Sequence, residues 1–179
     1  LKPSRELTSE QPEFANIYLL YGNEPARRWK TFTEEIVEYV VDAEIYQVVF
    51  LGAQLADVPH TRPISVTITS QNEIARSQLN LDRSHYEGPV GIMSVLGMAF
   101  EKVDIPTLAV WASVPHYVQN APSPKATLSM LIEIEKLLGV QFDHGSLADE
   151  AFTWERSIDE LAEADEDMAG YIEQLETTR

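Results

Sequence analysis

The 179-residue sequence predicts an α/β fold, three α/β/α layers built on a mostly parallel sheet, on three observations. Short apolar runs alternate with segments whose apolar residues recur at helical spacing, in the order strand, helix, strand, helix, strand, helix. Right-handed crossovers place the helices of such a pattern on both faces of a parallel sheet. The chain is 44% apolar and long enough to bury an ordinary core.

The elements follow in order. Asn16 to Tyr21 is a short apolar run closed by Gly22-Asn23-Glu24-Pro25, which predicts a buried strand ending in a turn. Pro25 suits a first helical turn, where its missing N–H costs nothing, and Trp29, Phe32, Ile36 and Val40 form the apolar stripe of the helix beyond it. Gln47 to Gly52 is the second predicted strand. Ser65 to Thr69 alternates β-branched and polar residues, as in a short strand at an edge of the main sheet or outside it. A brief helix from Asn72 to Gln78 precedes an irregular stretch from Asn80 to Pro89. Ile92, Val95, Leu96, Ala99 and Val103 mark the next helix, and Pro106 to Trp111 a further buried strand. Leu128, Leu131, Ile134 and Leu138 stripe another helix, ended by Gly139.

From Leu147 the pattern changes. Leu147, Ala151, Trp154, Ile158 and Leu161 hold one apolar stripe, and Met168, Ile172 and Leu175 resume it beyond Glu163-Ala164-Asp165-Glu166-Asp167. Either one long helix runs through the acidic block or two helices meet there. The sequence therefore divides into an α/β domain over 1–145 and an acidic helical segment over 146–179, packed on that domain or on a neighbouring subunit. Leu1 to Glu13 is polar, proline-bearing and aperiodic, like the inside of a linker, so residues preceding Leu1 are expected.

Composition removes several function classes. The formal charge is −16, and none of the 13 Lys and Arg residues forms a run, which argues against binding a phosphate backbone. Zero Cys removes disulfides, thiolate chemistry and Cys-based zinc sites. No apolar stretch reaches the roughly 18 to 20 residues of a membrane span, and no basic-then-apolar leader opens the sequence, so a cytoplasmic protein is expected. Glu133 to Arg179 carries 14 carboxylates against Lys136, Arg156 and Arg179. A solvated helical face explains that excess, with an acidic docking surface as the alternative.

Two loops concentrate the polar chemistry. Gly52 to Pro63 contains Asp57, His60 and Arg62, and Trp111 to Lys125 contains His116, Tyr117 and Lys125. In a parallel sheet such loops share the carboxyl-end rim, where α/β proteins place ligands. Glu24 from the first turn could join them, giving a set of carboxylates, imidazoles and cations able to hold an anion and move a proton. His60, His116 and Asp57 are the candidate proton carriers and orienting carboxylate; Glu24, Arg62, Glu87, Gly88, Tyr117 and Lys125 are the candidate ligand-binding residues. The competing explanation is structural: Asp57 as a cap, Arg62 paired with a carboxylate and His60 filling a half-buried pocket. Tyr86-Glu87-Gly88-Pro89-Val90-Gly91 opens a helix whose N-terminus could accept an anion. The four histidines lack the short spacing of a helical zinc site, so no metal or cofactor is expected, and nucleotide phosphate loops and serine nucleophile elbows are absent.

With these residues in view, the sequence resembles the bacterial, actinobacterial-type branch of the proteasome assembly chaperone 2-like family. The resemblance rests on Gly22-Asn23-Glu24-Pro25 with Trp29, on Leu51-Gly52-Ala53 through Ala56-Asp57-Val58-Pro59-His60-Thr61-Arg62-Pro63, on Tyr86-Glu87-Gly88-Pro89 with Gly91-Ile92, and on Trp111-Ala112 through Val114-Pro115-His116-Tyr117 with Pro124-Lys125-Ala126-Thr127. It implies a three-layer fold similar to nucleoside phosphorylases, a homo-oligomer of dimer or trimer size, and an amino-terminal section before Leu1. Some relatives dock through a carboxyl-terminal hydrophobic-Tyr-any tripeptide, which the ending Glu176-Thr177-Thr178-Arg179 lacks. Two functions are expected on this basis. The first is a non-catalytic assembly chaperone or scaffold that self-associates and recognises a protein partner. The alternative is a small-molecule-binding α/β enzyme using the strand-end rim.

Overall fold

The computed structural model describes residues 17–84, 88, 90–118 and 122–178. Six helices and three strands follow one another as α1 (Trp29–Asp42), β1 (Val48–Ala56), β2 (Val66–Thr69), α2 (Glu73–Leu79), α3 (Ile92–Glu101), β3 (Thr107–Pro115), α4 (Pro124–Leu138), α5 (Leu147–Glu163) and α6 (Glu166–Thr177). A single 3-10 turn, His116–Val118, leads out of β3.

The sheet is small and mixed, in the order β1-β3-β2. β1 and β3 are parallel and in register from Val48 opposite Thr107 to Ala56 opposite Pro115. β2 runs antiparallel to β3, Val66 opposite Ala112. The expected mostly parallel sheet is thus corrected to one parallel and one antiparallel pairing. The connection from β1 to β2 is a proline-bearing loop without a crossover helix, so β2 can run opposite to β1 at the far edge.

Residues 17–21 form no strand, against expectation. Leu19, Leu20 and Tyr21 stand exposed, Tyr21 at 92%. A short apolar run does not by itself select a strand, and none of the three described strands is paired with it. The helix expected from Pro25 starts at Trp29 instead, after Arg28 in the left-handed conformation, and the Trp29 indole N–H donates back to the Pro25 carbonyl. β1 and β3 both run four residues further than predicted, as far as Ala56 and Pro115, carrying Ala53 to Ala56 and Ala112 to Pro115 into the ladder. Val103 falls just beyond α3.

Side chains alternate along the strands, and each face meets different helices. On one face Val48 and Phe50 pack with Ile36 and Val40 of α1, Leu96 and Phe100 of α3, and Ile105; the Phe50 and Phe100 rings lie 6.4 Å apart. On the other, Ala112 and Val114 pack with Ile64, Ala126 and Met130 of α4. Gly52 is required where it stands, since a Cβ there would meet the Trp111 ring at 2.5 Å.

The caps explain the boundaries. Asn72 accepts the Ala75 N–H ahead of α2, Ser123 accepts the Ala126 N–H ahead of α4, and Gly139 ends α4 in the left-handed conformation. Two helices meet at the acidic block. Asp165 accepts the N–H groups of Asp167 and Met168, so it starts α6 afresh after Ala164 ends α5.

Candidate functional site

The parallel register brings the two loops together. Ala56 pairs with Pro115, so Asp57 and His116 leave the sheet side by side, and Asp57 Oδ1 lies 3.3 Å from His116 Nδ1. That distance allows charge attraction, but the alignment is poor, and Nδ1 makes no hydrogen bond among the described residues. The Tyr171 hydroxyl of α6 donates to the same Asp57 oxygen at 3.2 Å. The His116 and Tyr171 rings meet edge to face, centroids 5.2 Å apart, and Tyr117 touches both.

His60 is the buried centre, 1% exposed. Its Nε2 lies 3.0 Å from Asp159 Oδ1 on α5, and an ionised carboxylate can only accept, so the network assigns Nε2 the proton. The Tyr117 oxygen accepts the His60 backbone N–H at 2.7 Å and donates its own proton to Nδ1 at 2.9 Å. Every polar atom of the imidazole is thereby satisfied. Burial pushes the Tyr117 hydroxyl above its ordinary value, opposed by the His60 N–H and reinforced by the Glu176, Tyr171 and Asp159 charges. Tyr171 is raised by burial and then by its bond to Asp57.

The cations are engaged as well. Lys125 Nζ donates to the His60 carbonyl at 2.6 Å and pairs with Glu155 of α5. Arg62 donates from Nε to Glu176 Oε2 at 2.8 Å, and also to the carbonyls of Glu176 and Thr178, so it caps the C-terminus of α6. The Thr61 hydroxyl donates to the other Glu176 oxygen. That bond, followed by those of Arg62, holds the Glu176 carboxyl below its ordinary value despite its partial desolvation.

Asp57, His60, Arg62, His116, Tyr117 and Lys125 are therefore linked through α5 and α6. Glu24 is not bonded into this set: its Oε2 accepts the Ile92 N–H at 2.9 Å and caps α3. The helix N-terminus considered as an anion site holds a carboxylate of the same chain. Gly88 is an exposed bend residue, and Glu87 lies outside the described residues. Glu155, Asp159, Tyr171 and Glu176 were not anticipated. Glu155 and Asp159 stand four apart beside the apolar stripe of α5, a spacing that could have marked them as facing the rim instead of solvent.

A cleft of about 430 Å³ opens beside His60 and Thr61, between Asp159 and Glu163 of α5 and Ile172 and Glu173 of α6. A second, more apolar groove of about 550 Å³ runs between β1 and α4, past Leu51, Leu55, Ala126, Met130 and Ile134. Among the described residues no three His, Asp or Glu side chains are grouped to hold a metal ion, and no helix is long and apolar enough to cross a membrane.

Residues 2–162 match the PAC2 family. The chain belongs to that family. A PAC2 family protein from Streptomyces avermitilis is 38% identical, with a TM-score of 0.77 over 84% of this chain and 63% of that one. A proteasome-assembly chaperone homologue from Mycobacterium tuberculosis is 40% identical, with a TM-score of 0.72 over 83% and 63%. Both support the family resemblance read from the loops. PbaA of Pyrococcus furiosus, an archaeal homologue of proteasome-assembly chaperone, is 17% identical at a TM-score of 0.57 over 78% and 62%, and shares the fold. This PAC2 chain spans 63% of the length of the Streptomyces and Mycobacterium proteins. No curated protein matches it.

Proposed function

We propose that this PAC2 chain is a non-catalytic, assembly-chaperone-like protein that associates with itself and with a protein partner in the cytoplasm. The observation that carries this reading is that the buried imidazole and both cations of the rim are occupied. His60, Arg62 and Lys125 each bond to carboxylates or carbonyls of their own chain, which leaves a substrate no free proton carrier beside a free anion clamp. The likeness to the M. tuberculosis proteasome-assembly chaperone homologue supports proteasome subunits as the partner class of this proposal. A phosphorylase-like three-layer arrangement, with α1 and α3 on one side of the sheet and α4 and α5 on the other, belongs to the same proposal. So does the division into 1–145 and an acidic 146–179 segment.

Self-association is supported by Leu51 and Leu55, 43% and 55% exposed at the groove between β1 and α4, along a strand whose outer edge is unpaired among the described residues. The test is sedimentation velocity of the purified chain with actinobacterial proteasome α and β subunits. A mixed species, together with faster formation of subunit rings, is expected. Unchanged sedimentation and unchanged assembly rate would reject the proposal. In a thermal-shift screen of phosphorylated, nucleoside-like and carboxylate metabolites, the melting temperature is expected to stay constant. A true ligand at 100 times its Kd would add about 2.7 kcal/mol.

A further inference from the structure

We infer that α6 is a polar latch, clamped by Arg62 and Thr61, whose release uncovers the His60 rim while the rest of the fold stays in place. Four observations converge on it. The contacts tying α6 to the loops are polar or edge-on aromatic: Glu176 to Thr61 and Arg62, the Glu176 and Thr178 carbonyls to Arg62, and Tyr171 to Asp57 and His116. Its buried apolar residues are Ile172 and Leu175, and neither belongs to the two buried clusters that flank the sheet.

The fit of α6 is open as well. The 430 Å³ cleft separates Ile172 and Glu173 from His60 and Thr61, where a core helix would be closely packed. The chain also breaks cleanly between α5 and α6, with Asp165 as a new cap, so α6 can detach without unwinding α5.

Energetics favour detachment as a unit. A 12-residue helix is marginal on its own, so α6 loses its protection once undocked. Exposed ion pairs contribute little each, and the anchoring depends on one guanidinium that bridges a side chain and two carbonyls. Opening would bare His60, Thr61 and Tyr117 on the same border that carries His116. The latch is independent of the assembly role, because its physics lies within one chain.

Hydrogen exchange of the full chain, read by segment, tests it with Arg62→Gln and Glu176→Gln. Exchange over 166–177 is expected to accelerate at least about tenfold in both variants, with 107–115 unchanged. In the same variants His60 should become reactive to diethyl pyrocarbonate. Unchanged exchange over 166–177 in both variants overturns the latch, as does 107–115 accelerating in step with it. Failure of either variant to fold also overturns it, since the contact would then be integral to the fold, and so does His60 staying unreactive while α6 exchanges.

Discussion

At the scale of single residues, His60 behaves as a structural histidine held by four hydrogen bonds, two through its ring, one through its N–H and one through its carbonyl. His60→Ala removes a fully buried ring and strands the Tyr117 hydroxyl and the Asp159 carboxylate. A loss of about 2–4 kcal/mol in urea unfolding is expected. Tyr117→Phe leaves the His60 N–H and Nδ1 unpaired and should cost about 1–3 kcal/mol by the same measurement. His116, half-exposed and misaligned with Asp57, should tolerate Ala within about 1 kcal/mol. A His116→Ala loss as large as that of His60→Ala would contradict the ordering drawn from burial. Gly52→Ala drives a methyl into the Trp111 ring and is expected to cost about 1–3 kcal/mol.

At the scale of elements, pH acts on α6 from both sides. Glu176 has a folded value below its ordinary 4.5, so its contribution is present above 4.5 and is lost as pH falls through the lower folded value. Tyr117 and Tyr171 are raised above 10.0, so their contribution is present below 10.0 and fades as pH rises through the folded values. Protection of the 166–177 amides should therefore be greatest between these limits, after correction for intrinsic exchange. Protection that grows steadily down to pH 3 would refute the assignment to Glu176. The cap offers a pH-independent check: Asp165→Ala should destabilise α6 by about 1 kcal/mol, read as faster exchange of its first turn. The helices were legible because stripes such as Trp29, Phe32, Ile36 and Val40, and stops such as Gly139, are local signals. The absence of a strand at 17–21 was not, because strand identity depends on a neighbour that periodicity cannot specify.

At the scale of the molecule, the long-range pairing of loop and helix was the unreadable part. Asp57 and His116 could be assigned to one border from the parallel pattern alone, since parallel strands send their carboxyl ends the same way. That Asp159, Glu155 and Glu176 would return from 99, 30 and 114 residues away to bond His60, Lys125 and Arg62 leaves no local trace. The acidic helices look the same whether they face water or a cation. The excess of carboxylates over 133–179 is therefore partly solvated surface and partly the counter-charge of the rim. The proposed self-association places its contact at Leu51 and Leu55 of β1. Concentration-dependent self-association is expected by sedimentation velocity, weakened by Leu55→Lys; a monomer at every concentration would remove the support for the oligomeric proposal.

The matched ends of β1 and β3 make the Asp57–His116 junction intolerant of insertions and deletions, though substitutions can pass. Removing one residue from 48–54 would rotate every later β1 side chain to the opposite face, sending Leu55 to the side of Val48 and Phe50 and Asp57 away from the imidazole. Length, more than residue identity, is what natural variation must conserve in these two strands. Paired two-residue changes, one in each strand, are the indels that would keep the junction whole.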